Sequence, residues 1–161
     1  MTPPALGTPS GVRQKLHPIA GAIALATILI FWTSTVISEV SGVYPLVLAV
    51  KMAVPWGFLL LIPALALTGA SGAALSKGRQ GKLIAAKQKR MRIIAGNGIL
   101  VLVPSALFLA VKARDGDLDT AFYAVQAIEL AAGAVNAWLL SLNMRDGWKM
   151  TARRRQARQS G

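Results

Sequence analysis

Residues 16–38, 52–76 and 93–111 contain no Asp, Glu, Lys or Arg, and a fourth stretch, 120–144, contains only Glu129. Each is close to the length of about 20 residues that a helix needs to cross a hydrocarbon core of about 30 Å. This blocked pattern excludes most folds. A backbone in lipid must satisfy its own hydrogen bonds, and the stretches are too long for membrane-barrel strands of about 9–11 residues. They predict an all-α integral membrane four-helix bundle, with spans at about 18–38, 50–75, 93–111 and 120–144. The transmembrane domain is then 17–147. A hydrophobic content of 54% fits that class.

The net charge of +12 points first to nucleic acid, but the basic residues are placed as membrane topology requires. With sides assigned alternately, Arg13 and Lys15, the loop 76–92 and the stretch 145–161 fall on one face, which carries 15 of the 18 Lys and Arg residues. The positive-inside rule makes that face cytoplasmic, with both termini on it. The other face holds Lys51, Lys112 and Arg114 beside Glu39, Asp115, Asp117 and Asp119. The 76–92 loop has no interleaved aromatics, which argues against nucleic acid as a partner. The chain has no cysteine, so disulfides, thiolate metal sites and thiol catalysis are excluded.

Residues 1–16, rich in Pro and Gly, predict a disordered cytoplasmic tail, and 148–161 a basic one. Pro18 suits the first turn of span one. Arg13 and Lys15 precede that span as they would a signal peptide. Its uncharged length and lack of an Ala-x-Ala site predict a retained signal anchor instead. In span two, Pro55 and Pro63 should kink the helix or free carbonyls, and the small residues 68–74 should pack closely on a neighbour. The loop segment 82–92 predicts a helix on the membrane surface, with Lys82, Lys87, Lys89, Arg90 and Arg92 contacting anionic headgroups. Residues 115–119 lack the length and terminal Glu of a calcium loop, so no metal site is expected. Asp119 or Thr120 is expected to cap span four.

The most informative pattern is in span four. Phe122, Gln126, Glu129, Gly133, Asn136 and Asn143 share one side of a helix, and that side should face the bundle. Glu129 falls about 12 Å below the outer end of its helix, where an acid must be protonated, paired or beside water. It is the best candidate for a protonation or ligand contact, with Gln126, Asn136 and Asn97 near it. Asn136 and Asn97 fall at matching depths, which predicts a hydrogen bond between them. His17, the only histidine, stands at the cytoplasmic entrance as a possible cofactor contact, with a structural role as the simpler reading. Thr27, Ser34 and Ser38 share a face of span one and are expected to bond back to their own helix. Lys51 and Glu39 flank the outer turn and are expected to pair there, exposed and of little energetic weight.

The strings His17-Pro18-Ile19-Ala20-Gly21, Phe31-Trp32-Thr33-Ser34 with Ser38-Glu39, and Leu142-Asn143-Met144-Arg145-Asp146-Gly147 resemble a family of small bacterial four-span inner-membrane proteins with no assigned activity. The resemblance spans most of the chain and implies a bacterial source and the same topology. A looser likeness to four-helix b-type membrane cytochromes lacks their paired histidines. Small multidrug transporters also carry one membrane Glu, but in their first helix. No catalytic residues are identified. The expectation is a non-enzymatic inner-membrane protein, an accessory or interaction subunit of a larger complex, with a membrane-protein partner or a second copy of itself. The alternatives are a quinone- or haem-binding redox protein and a proton-coupled carrier using Glu129.

Overall fold

The computed structural model describes residues 9–76 and 81–159. Among the described residues there are five α-helical segments: α1 (Pro9–Ser41), α2 (Tyr44–Ser76), α3 (Lys82–Asn97), α4 (Val103–Arg114) and α5 (Thr120–Gln159). A π-helical turn, Gly98–Leu102, joins α3 to α4 into one long third helix. Among the described residues four stretches are long and apolar enough to cross a membrane: Leu16–Ser41, Tyr44–Leu75, Lys82–Arg114 and Thr120–Lys149. The protein is therefore a multi-pass helical bundle. One end carries the start of α1, the end of α2, the start of α3 and the end of α5; the opposite end carries two tight turns.

Several boundaries differ from expectation. Helix α1 begins at Pro9, so residues 9–16 of the expected disordered tail are helical, while 1–8 lie outside the described residues. Pro9 takes the first helical position, where its missing N–H is no loss. Pro18 is consequently internal to α1. The segment 82–92 is not a separate surface helix. It forms the first turns of the third span, because nothing between Lys82 and Gly96 interrupts a helix and two of its basic side chains find partners inside the bundle. Likewise α5 continues past residue 144 to Gln159.

The π turn lies immediately before Pro104. Proline supplies no N–H to the carbonyl four residues back, and the turn is widened so that Val103 N–H reaches Gly98 O. At the opposite end, Gly42 and Gly116 adopt φ of 63° and 76°, the left-handed conformation that lets a helix end abruptly. Asp117 N–H closes on Lys112 O at 2.9 Å. Asp119 Oδ1 then accepts from Phe122 N–H at 2.9 Å, capping α5 as expected.

Helix α1 packs along α2 on one side and α5 on the other, and α5 also carries the third helix. The contact of α2 with the third helix is made chiefly by α4, so α2 and α3 diverge toward the basic end. Two apolar clusters result. Val47, Leu109, Ala113 and Phe122 close the end with the turns. Ala24, Ile28, Leu61, Ala64, Ile94 and Leu140 fill the other half. The small residues at the end of α2 do admit a close neighbour: the His17 ring lies so near Gly72 that an added Cβ would sit 3.1 Å from its Cε1.

Candidate functional site

The polar stripe of α5 faces inward, with Phe122, Gln126, Gly133, Asn136 and Asn143 all buried. Glu129 is 13% exposed at its side chain, and its Oε2 accepts from Lys51 Nζ at 2.8 Å and from Gln126 Nε2 at 3.3 Å. The Gln126 contact fits the sequence reading. The ionic partner corrects it: Lys51 is 1% exposed and is not part of a surface pair with Glu39. Helix α2 begins at Tyr44 rather than near residue 50, which carries Lys51 about 10 Å along the helix and into the bundle. Its position inside an apolar run was the available signal.

One polar layer further toward the basic end, Asn97 Nδ2 donates to Asn136 Oδ1 and to Ala132 O, both at 2.9 Å. Asn136 Nδ2 donates in turn to Ile94 O at 3.3 Å. The expected cross-bundle pair is therefore present, and its amide groups also anchor backbone carbonyls on both helices. In α1, Thr27 Oγ1 donates to Ile23 O and Ser38 Oγ to Thr35 O, each at 2.9 Å, so these side chains bond back to their own helix as expected. Ser34 is only half-buried beside them.

Between the polar layers and the divergence of α2 from α3 lies a cleft of about 480 Å³. Its walls are mostly apolar, drawn from Ile28, Phe31, Leu61, Leu65, Met91 and Ile94, with Arg92 the one basic lining residue, and the π turn contributes Gly98, Ile99 and Leu102. Its polar floor is Thr35, Glu129 and Asn136, with Trp32 beside them. Trp32 Nε1 donates to Leu130 O at 3.0 Å, and the indole lies on Gly133, which locks the α1–α5 side of the floor. Ile62 and Ile99, on opposite sides of the mouth, are 54% and 69% exposed, so the cleft opens sideways from the bundle. Trp32, Thr35 and Gly98 were not identified from sequence, because none is marked by charge or spacing.

His17 is remote from this cleft. Its Nδ1 lies 3.1 Å from Thr68 O and 3.0 Å from Ser71 Oγ, while Nε2 lies 3.1 Å from Lys87 Nζ. An Nδ1–H donating to α2, with Nε2 accepting from the ammonium, satisfies every group. Both ring nitrogens are thus engaged, and the ring lies against Gly72. Arg90 Nη1 bonds Asp146 Oδ2 at 2.6 Å and Asn143 Oδ1 at 3.3 Å. Lys87 and Arg90 are therefore directed at the bundle, and of the five expected lipid contacts Lys82, Lys89 and Arg92 are the exposed ones.

In the 115–119 turn, Lys112 Nζ bonds the carboxylates of both Asp117 and Asp119. That ammonium, with the Phe122 N–H, holds the Asp119 carboxyl below its usual range. Among the described residues no group of His, Cys, Asp and Glu is placed to hold a metal ion. In comparisons with known proteins, no family model, no curated protein and no solved structure matches this chain.

Proposed function

We propose that this chain is a non-enzymatic, multi-pass protein of a bacterial inner membrane that binds a lipid-soluble amphiphile in its lateral cleft. The observation that carries this reading is the combination of apolar walls, a mouth between α2 and α3, and a polar floor at Glu129 and Asn136. A volume of about 480 Å³ lies in the range of small-molecule sites, which pair apolar linings with a few placed polar groups. A ligand entering from the bilayer leaves its tail against Leu61, Leu65 and Met91. Its head meets Glu129, whose two hydrogen bonds both fall on Oε2. The carboxylate therefore favours a head that donates a hydrogen bond, as a quinol does. Such binding also suits an accessory subunit that presents its ligand to a partner through the open side. The distribution of Lys and Arg supports a cytoplasmic basic end.

Binding of a short-chain benzoquinol to the protein in nanodiscs tests this reading. Gly98 lines the cleft, and an added Cβ there meets nothing within 4 Å. Gly98→Leu should fill the space and weaken binding by about tenfold or more, equivalent to about 1.4 kcal/mol, with little change in melting temperature. Unaltered affinity in Gly98→Leu, or no binding to the wild type, defeats the proposal.

A further inference from the structure

Three helices bring charge to the turn-bearing half of the bundle. Glu39 stands in the last turn of α1, Lys51 in α2 and Glu129 in α5. Lys51 donates to Glu129, and Glu39 lies within electrostatic reach of both. The buried ammonium is thus paired with Glu129, and Glu39 makes no ion pair among the described residues. The remaining neighbours do not rebalance the charge. Helix α4 presents buried Ser105, Ala106, Leu109, Ala110 and Ala113; its Lys112 and Arg114 are engaged with Asp115, Asp117 and Asp119; and Tyr44 donates its hydroxyl to Ala113 O at 2.8 Å. With both acids ionised, one negative charge is left uncompensated on a carboxylate whose Oε1 is buried without a donor, a costly state.

The hydrogen bonds show the same imbalance. Glu39 Oε1 and Gln126 Oε1 are buried acceptors with no hydrogen-bond partner, although Gln126 is itself only 4% exposed. The Glu129 side of the cluster is by contrast satisfied twice over. What the cluster lacks is one positive charge, and a single proton on the Glu39 carboxyl removes that imbalance.

We propose that Glu39, Lys51 and Glu129 form a one-proton site in which Glu39 holds the proton while Lys51 and Glu129 form the ion pair. Glu39 is the member nearest the helix end, two residues before Ser41, and it exchanges its proton with the adjoining aqueous phase. On release, the proton passes to water and the electron pair stays on Glu39. The new carboxylate competes for the Lys51 ammonium. Glu129, which lines the cleft, then becomes a stronger acceptor there. This last step rests on the ligand reading above; the proton site does not.

Glu39 and Glu129 are the only glutamates in the chain, so labelling with carboxyl-isotope glutamate isolates their infrared signals. In nanodiscs at neutral pH the wild type should show one protonated-carboxyl band that disappears as pH rises. Glu39→Gln should abolish it. Glu129→Gln should abolish it as well, because Glu39 then ionises to balance Lys51, whereas Lys51→Met should leave two protonated carboxyls. Absence of the band in the wild type overturns the proposal without recourse to any variant. Its retention in Glu39→Gln with loss in Glu129→Gln overturns the assignment to Glu39. Benzoquinol affinity should rise about tenfold through the same transition and become pH-independent in Glu39→Gln. An intact band pattern with no quinol binding supports the proton site and removes the ligand reading alone.

Discussion

At the scale of single residues, Lys51 governs the charge balance of the bundle. An ammonium in an apolar interior is retained only when an anion accompanies it, and removal of the last anion is costly. Because two carboxylates stand near it, either alone can serve. Glu39→Gln and Glu129→Gln should therefore each be tolerated, with the double variant losing about 3–5 kcal/mol, as for a buried charge left unpaired. Thermal melts in detergent of the four forms give the comparison. Strictly additive single-variant losses would show that the two acids do not substitute for each other. The Asn97–Asn136 pair is a different kind of contact, since neutral interhelical bonds average only about 0.6 kcal/mol and set register more than stability.

Helix starts and ends decide how the elements meet. The cap of α5 depends on an ionised Asp119, whose carboxyl is held below the usual carboxylate range by the Lys112 hydrogen bond and by Phe122 N–H. A carboxyl depressed in the folded state stabilises at pH above its unfolded value, and that contribution is lost as pH falls through the folded one. Protection of the Phe122 amide, relative to its intrinsic exchange rate at each pH, should accordingly fall in acid below the ordinary Asp range, while in Asp119→Ala it should be low throughout. An unchanged rate in Asp119→Ala would remove the cap from this account. The first turns of α3 divide their basic residues between two tasks. Lys82, Lys89 and Arg92 changed together to Gln should remove the extra protease protection that this segment gains in anionic over neutral nanodiscs, at about 1 kcal/mol of headgroup contact per residue near the surface, without lowering the melting temperature. Arg90→Gln should instead destabilise the protein by about 1.5–3 kcal/mol, the range for hydrogen bonds to charged groups, since buried Asp146 loses its partner. Equal behaviour of the two sets in both measurements would refute the division.

For the molecule as a whole, charge asymmetry between the two ends sets the expected orientation. Reporter fusions at Gly42 and Gly116 should read outside, and those at Ser76 and Gly161 inside. A cytoplasmic signal at Gly116 would contradict the four-span topology proposed here. The bundle is closed at its turn-bearing end, where α2 meets α4, and divergent toward the basic end, where α2 and α3 separate. That asymmetry produces a cleft with a lateral mouth rather than a pore along the axis. The π turn lies on the third helix where this opening is, and its Gly98, Ile99 and Leu102 line it.

The amino-acid sequence alone determined the four spans, because the hydrocarbon core demands uninterrupted apolar helices and a charge-free run of that length has no other use in lipid. It also determined the inward face of α5 and the matched depth of Asn97 and Asn136, since helical periodicity and rise are fixed by backbone geometry. The tertiary structure alone decided the partner of Glu129. Lys51 and Glu129 are 78 residues apart, and whether a side chain at a span boundary turns to water or inward depends on how the helices cross. The same holds for the joint placement of Glu39 and for the inward turn of Lys87 and Arg90. The cleft belongs to no single element. It arises where α2 and α3 fail to meet, a consequence of packing among helices that no local pattern in the chain encodes.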